Sequence, residues 1–202
     1  TPSAPRDPKE PHGDPLPPED PEEPKQKIKI KLAEGKLIEI RPIQSTLFMD
    51  ASGKTLTVHE FIKNLYGQLP KHFKDEGELQ EIWSNPKTRE KLLKTLAEEG
   101  YGTSELEELQ KIVDAENSDL FDVLEYIAYS KKPIPRIKRA EVAEKKIYNN
   151  LSENQKEFLD FVLSRYVEGG VEELDLSRLP NLILLKYKSL DDGQKILGDA
   201  ES

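Results

Sequence analysis

The chain has no cysteine among its 202 residues, and it has only three histidines and one tryptophan. Without thiols it can build neither a disulfide framework nor a thiolate metal site or nucleophile. No stretch approaches the roughly 20 apolar residues that span a bilayer, and no signal segment opens the chain. These absences predict a cytoplasmic protein that has no contact with a membrane.

Charge and proline are concentrated in the first 24 residues. This segment holds seven acidic residues against two basic ones, a local charge of −5 out of −9, and nine of the 15 prolines. Such a composition cannot bury enough apolar surface to offset the entropy lost on folding. We therefore predict that residues 1–24 form an acidic, proline-rich linker without regular structure. Because this linker opens a chain that has no initiator methionine, we expect a fragment of a larger protein.

A two-residue alternation of lysine with Ile28, Ile30 and Leu32 predicts a half-buried strand. A turn at residues 33–36 and a second apolar alternation at residues 37–40 complete a hairpin. Residues 47–56 repeat the order of strand, turn and strand. The sequence thus predicts a small antiparallel β-hairpin element over residues 25–56, forming a small sheet that rests on something larger.

From Thr57 onward the apolar residues recur with helical spacing. Helix starts are predicted where a capping residue precedes an apolar run, and the capping residues are Thr57, Asp75, Asn85, Ser104 and Ser152. A strongly apolar helix is also predicted over residues 119–129. The fold class is therefore mainly α, with a compact helical domain at residues 57–202 and residues 25–202 as one structural unit. The apolar faces predict a core of Phe61, Leu65, Trp83, Leu93, Leu109, Phe121, Leu124, Phe158, Phe161 and Val162.

Three motifs resemble catalytic or metal sites, and each has a simpler interpretation. Gly53-Lys54-Thr55 matches the end of a phosphate-binding loop, but Phe48 stands where that loop needs its other glycine. The interpretation we favour is a hairpin turn. Glu34-Gly35-Lys36 matches part of a nuclease motif but falls on a turn. His59 has no second ligand at helical spacing and is predicted to lie on the surface. We assign no catalytic, cofactor-binding or metal-binding residue.

Residues 131–148 carry seven basic residues against two acidic ones, a local charge of +5. A basic helix over residues 136–148 could contact duplex phosphates or an acidic patch on a partner protein. The candidate contact residues are Arg136, Lys138, Arg139, Lys145 and Lys146, all predicted to lie on the surface. The alternative is that the helix pairs with acidic neighbours such as Glu105, Glu107 and Glu108, and this alternative stays open.

Four segments carry a likeness to a known family, and they read LFMDASGKTLTVHEFI, EIWSNPKTREKLLKTLAEEGYG, LQKIVDAENSDLFDVLEYIAY and SENQKEFLDFVLSRYVEGGVEEL. In this order and spacing the chain resembles, over residues 26–190, the C-terminal domain of the restriction (R) subunit of type I restriction enzymes. The basic segment IPRIKRAEVA falls where that family has a similar arginine-containing stretch.

The resemblance implies a role within a larger machine. In that family the R subunit carries a metal-dependent nuclease and an ATP-driven DNA motor, so ATP and Mg²⁺ are expected for the parent subunit and no cofactor for this fragment. The helical C-terminal domain is regarded as the part that docks onto the methyltransferase and specificity subunits. We therefore expect a non-catalytic docking module, or alternatively a DNA-binding module that grips duplex phosphates through the basic helix.

Overall fold

The protein is described by a computed structural model, which describes residues 27–42 and 46–198. The predicted linker of residues 1–24 lies outside the described residues. Four strands come first: β1 (Ile28–Lys31), β2 (Leu37–Ile40), β3 (Leu47–Met49) and β4 (Thr55–Thr57). Helices follow: α1 (Val58–Gln68), α2 (Glu76–Ser84), α3 (Pro86–Glu98), α4 (Thr103–Ile112), α5 (Leu120–Tyr129), α6 (Arg136–Ile147), α7 (Glu153–Gly169), α8 (Leu179–Tyr187) and α9 (Leu190–Leu197). The fold is mainly α, as the sequence predicts.

The strands form two separate two-stranded antiparallel sheets, β1 with β2 and β3 with β4, rather than the single small sheet expected. Alternation places Ile30 and Ile38 opposite each other in the register, and both are buried. The edge of β2 is closed by α5, because the Tyr126 hydroxyl accepts a hydrogen bond from the Glu39 N–H (2.6 Å) and donates to its carbonyl oxygen (3.0 Å). The β1–β2 hairpin thus meets a side chain of α5 where a third strand would otherwise pair.

Local capping chemistry starts most of the helices. Thr57 forms a capping box at the start of α1, and Ser152 forms one at the start of α7. Asn85 caps α3 ahead of Pro86. The predicted start at Ser104 is wrong: α4 begins at Thr103 after Gly102, whose carbonyl accepts the first helical hydrogen bond from the Leu106 N–H. A glycine in extended conformation therefore opens this helix without a side-chain cap.

One continuous apolar core joins the two hairpins to α1–α5. It extends from Ile30 in β1 to Ala128 in α5. The ring of Phe61 in α1 is fully buried, stacking on Phe48 of β3 at 4.0 Å between centroids and meeting Tyr101 edge-on at 5.2 Å. The hairpins are therefore packed against the helical body by their buried faces.

The predicted core is confirmed in α1–α5 and wrong in α7. Six of its residues are buried (Phe61, Leu65, Trp83, Leu109, Phe121 and Leu124), and Leu93 is partly buried against them. The α7 residues Phe158, Phe161 and Val162 are only half-buried. Phe158 lies 5.9 Å from the ring of Tyr187 in α8, so these rings pack on the C-terminal helices and not in the main core. Helical periodicity identified the apolar face of α7 but not what covers it.

Candidate interaction surface

The basic helix α6 starts immediately after the segment that contains Pro133 and Pro135. The Arg136 N–H donates to the carbonyl oxygen of Asn117 (2.6 Å), which fixes the first turn of α6 beside the loop that precedes α5. Along its length α6 packs against α7. The five predicted contact residues all lie on this helix, but they do not share one environment.

Arg139 points toward the body of the protein. Its Nη2 donates to the Asp122 carboxylate at 2.7 Å, and its guanidinium lies 5.5 Å from the centre of the Phe121 ring. Asp122 is fully buried, whereas the Arg139 side chain keeps 33% of its area exposed. The same carboxylate also accepts the N–H groups of Asp119 (3.0 Å) and Ile134 (2.9 Å). Arg139 is therefore an anchor between α6 and α5, which corrects its prediction as a surface residue.

Arg136 lies beside a second buried carboxylate, that of Asp119. Its guanidinium donates to the carbonyl oxygen of Glu116 (3.4 Å), and the side chain is only half-exposed. Asp119 accepts a hydrogen bond from the Tyr166 hydroxyl of α7 at 2.8 Å. Burial raises the pKa of Asp119, against the lowering effects of the Tyr166 hydrogen bond and of the nearby Arg136 charge. Burial, and then the Asp119 charge, raises the pKa of Tyr166.

The remaining three basic residues, Lys138, Lys145 and Lys146, are exposed, as predicted. Lys138 pairs with Glu141 of the same helix at 3.0 Å. For Lys145 and Lys146, no ion pair is formed within residues 27–42 and 46–198. The alternative of pairing with acidic residues of neighbouring helices holds for Arg139, whose partner Asp122 lies in α5. Lys138 pairs instead within α6, with Glu141.

A further buried ion pair ties the chain after α7 to the main body. The Arg89 Nη2 in α3 donates to both oxygens of Asp175, at 2.8 and 2.6 Å, and its Nη1 donates to the Trp83 carbonyl oxygen (3.1 Å). Arg89 is buried. Sequence reasoning missed this pair and the acids Asp119 and Asp122 as anchors. For the two acids a signal existed, since they stand three residues apart at the start of a strongly apolar helix.

Large apolar side chains are left exposed mainly on the C-terminal helices. Of the 15 such residues found within residues 27–42 and 46–198, 11 lie between Ile134 and Ile196. The most exposed are Leu176 before α8 (84%) and Leu185 within α8 (66%). Only Ala140, Tyr166 and Leu182 are buried apolar residues in α6–α9. These helices are therefore attached to the body largely by polar anchors and present an apolar surface outward.

The motif that resembles a phosphate-binding loop is a hairpin turn in the structure. Gly53-Lys54-Thr55 belongs to the β3–β4 hairpin turn, in which the Asp50 carboxylate accepts the N–H groups of Ser52 and Lys54, both at 2.9 Å. A phosphate would need those same N–H groups, and it would be repelled by the carboxylate, so the loop does not fit a nucleotide.

The other two motifs also lie where the sequence interpretation puts them. Glu34 and Gly35 form the turn between β1 and β2. The Lys36 ammonium that follows donates to the Ala128 carbonyl oxygen (2.8 Å) between the rings of Tyr66 and Tyr129, so this motif has a structural role. His59 is exposed in the first turn of α1. Across the described ranges, no three His, Asp or Glu side chains are grouped as a metal site would require.

None of the helices among the described residues is long and apolar enough to cross a membrane.

Comparison with known proteins gives two matches. Residues 59–202 match the family described as EcoEI R protein C-terminal. The chain is also similar to the type I restriction enzyme EcoAI endonuclease subunit of Escherichia coli, with 28% identity over 150 residues. That match covers 73% of this chain but 17% of the relative, so the chain spans less than a fifth of the relative's length. No solved structure matches the chain.

Proposed function

Because this chain belongs to the EcoEI R protein C-terminal family, we propose that it docks a type I restriction R subunit onto its methyltransferase and specificity subunits. In the same proposal the longer subunit carries the nuclease and an ATP-driven DNA motor, binds ATP and Mg²⁺ outside this chain, and acts in the cytoplasm. The fragment itself takes no part in catalysis.

One observation supports docking most directly, which is the concentration of exposed apolar side chains on the C-terminal helices. Large exposed apolar patches on a folded protein mark interaction sites, and protein–protein interfaces are one class of them. Leu176 and Leu185 are exposed to 84% and 66%, although the main core of the same chain is well packed. Burying such side chains in an interface removes apolar area from water, at about 25 cal/mol per Å².

The test is binding of this chain to a purified methyltransferase–specificity complex of the same restriction system, measured by sedimentation velocity. The double variant Leu176→Asp/Leu185→Asp is expected to weaken assembly, because it places two charges in the apolar contact. The matched control is Leu47→Asp/Met49→Asp on β3, which changes two side chains that are 65% and 60% exposed but lie on the N-terminal hairpin. Equal binding by both variants would contradict docking through the C-terminal helices.

The second candidate is a DNA-binding module, favoured by the exposure of Lys138, Lys145 and Lys146 on one side of α6. The internal anchoring of Arg136 and Arg139 leaves fewer charges for phosphates than the sequence suggests. If DNA is the partner, Lys145→Glu/Lys146→Glu should weaken duplex binding and reduce the salt slope by about 0.9 for each lost phosphate contact.

The matched control for the DNA test is Lys91→Glu/Lys94→Glu, which reverses two exposed lysines on α3. It should leave duplex affinity nearly unchanged. Duplex affinity that is unchanged in Lys145→Glu/Lys146→Glu, together with weakened assembly on the methyltransferase complex, would assign these lysines to a protein contact.

A further inference from the structure

A groove of about 400 Å³ lies between α6 and α7, away from the anchors that hold these helices to the body. Its apolar lining is Ile137 and Ala140 from α6, and Leu163 and Val167 from α7. The spacing of three residues on α6 and four on α7 places each pair on one face of its helix. Ile137 is 49% exposed, whereas Ala140 is buried at the base of the groove.

The polar residues along the same groove are acidic on both sides. Glu141 and Glu144 line it from α6, and Asp160 and Glu168 line it from α7. No lysine or arginine is among the described residues that line it. The groove therefore combines an apolar floor with two negatively charged edges, although the outer side of α6 carries the exposed lysines.

The acidic edges have partial partners that leave the groove negative. Glu141 pairs with Lys138 and Glu168 with Arg165, in both cases between exposed neighbours three residues apart in one helix. Such surface pairs are weak and can exchange partners. At one end the Tyr148 hydroxyl donates to the Asp160 carboxylate. This hydrogen bond, with the charges of Asp160, Glu144 and Glu153 acting in the same direction, raises the pKa of Tyr148 to about 12.

From this combination we propose that the α6–α7 groove binds an amphipathic helix of a partner protein, whose apolar stripe is flanked by lysine or arginine residues. The α7 lining runs from residue 160 to residue 168, which at 1.5 Å per residue is about 12 Å, or roughly two helical turns. A groove between two helices offers side chains rather than a free strand edge, so it suits a helix better than an extended peptide.

The chain's own terminal segments are unsuitable occupants on charge. Residues 1–24 carry a net charge of −5, and residues 199–202 add two acids and no base. Both would be repelled by the acidic edges. The inference goes beyond the proposed function, because it specifies the chemistry of the contacting element and does not depend on which protein carries that element.

The probe for this inference is a synthetic amphipathic peptide of about 18 residues, long enough to form a helix, with leucines at helical spacing and lysines beside them. Its binding to the full chain is followed by fluorescence anisotropy at low salt. The variant Glu144→Lys/Glu168→Lys should weaken binding on the order of tenfold, because two attractive contacts become repulsive. The effect should shrink as salt screens the charges.

The matched control is Glu90→Lys/Glu98→Lys, which makes the same change of net charge at two exposed positions of α3. It should change the affinity about twofold at most.

Ile137→Asp, which charges the apolar floor at a half-exposed position, should weaken binding as strongly as the groove charge reversal. A peptide with a central proline, which cannot continue a helix, should not bind. Thermal melts of each variant establish that the fold is retained.

Three results would overturn the inference. One is absence of binding by the chain. Another is equal weakening in the groove and control variants, which would reflect general attraction to an acidic protein. The third is self-association of the chain that disappears in Glu144→Lys/Glu168→Lys, since the occupant would then be a second copy. The proposed function is tested separately. If assembly on the methyltransferase complex survives Glu144→Lys/Glu168→Lys but fails in Leu176→Asp/Leu185→Asp, the docking function holds and the groove takes no part in it.

Discussion

Replacing Arg139 by methionine is the most informative perturbation of α6, because the structure and the basic pattern of the sequence assign this residue different roles. Methionine keeps an apolar side chain against Phe121 but removes the cation that lies 2.7 Å from the Asp122 carboxylate. If Arg139 is an anchor, the variant leaves a fully buried charge without its partner. If it is a surface charge, the fold should hardly respond.

The expected loss of unfolding free energy follows from the burial of the two partners. Removing one member of a buried ion pair costs about 3–5 kcal/mol. The lower end, about 3 kcal/mol, is expected here, because Arg139 keeps 33% of its side chain exposed. In addition, Asp122 still accepts the N–H groups of Asp119 and Ile134. The matched control is Lys138→Met, which removes only an exposed pair within one helix, worth about 0.3–0.5 kcal/mol.

Urea unfolding of both variants at neutral pH, followed by far-UV circular dichroism and by Trp83 fluorescence, measures these differences. Trp83 is buried, with its ring 5.9 Å from that of Phe121, so its emission reports on this junction. A free-energy loss for Arg139→Met within about 0.5 kcal/mol of that for Lys138→Met would refute the anchoring role. Confirmation would mean that charge reversal at Arg139 tests folding, so binding is better tested at Lys145 and Lys146.

Three further outcomes are expected. Tyr166→Phe should lower the unfolding free energy by about 1.5–3 kcal/mol, because it removes a hydrogen bond to the buried Asp119 carboxylate, and urea unfolding measures the loss. Burial and the neighbouring Glu76 charge raise the pKa of Glu125 above 4.5, so its contribution to stability should fall as pH rises through 4.5 toward the raised pKa. Glu125→Gln should therefore gain stability relative to the parent chain between acidic and neutral pH, as pH-dependent melts would show. Phe61→Ala should cost about 3–5 kcal/mol and Phe158→Ala clearly less, because Phe61 is fully buried and Phe158 only half-buried; equal losses in denaturation experiments would contradict this difference in burial.

The polar anchors hold parts of the C-terminal region to the body without using its apolar side chains. Arg89 with Asp175, Arg139 with Asp122, and Tyr166 with Asp119 hold them in a defined position. Directional contacts of this kind fix orientation, whereas apolar contacts mainly supply stability. Because few apolar side chains of α6–α9 are used for internal packing, many remain available for a partner.

The sequence by itself determined the order, type and many of the ends of the elements. Thr57 with Glu60 and Ser152 with Gln155 are reciprocal caps whose chemistry is complete within four residues. The turn at Ser52 and Gly53 is equally local, because the Asp50 carboxylate binds the neighbouring N–H groups. The family resemblance was likewise carried by local segments. Features of this kind can be predicted because their causes lie close together in the chain.

Tertiary structure alone decided which side of each element is covered, and by what. Periodicity groups Phe158, Phe161 and Val162 on one face of α7, but the main core closes over α1–α5 and leaves that face half-covered. The basic pattern groups Arg139 with the lysines of α6, yet its guanidinium forms an ion pair with the buried carboxylate of Asp122, 17 residues earlier in the chain. A local pattern shows which residues share one face of a helix. It does not show which distant residue contacts that face, because the contact depends on the packing of the whole chain.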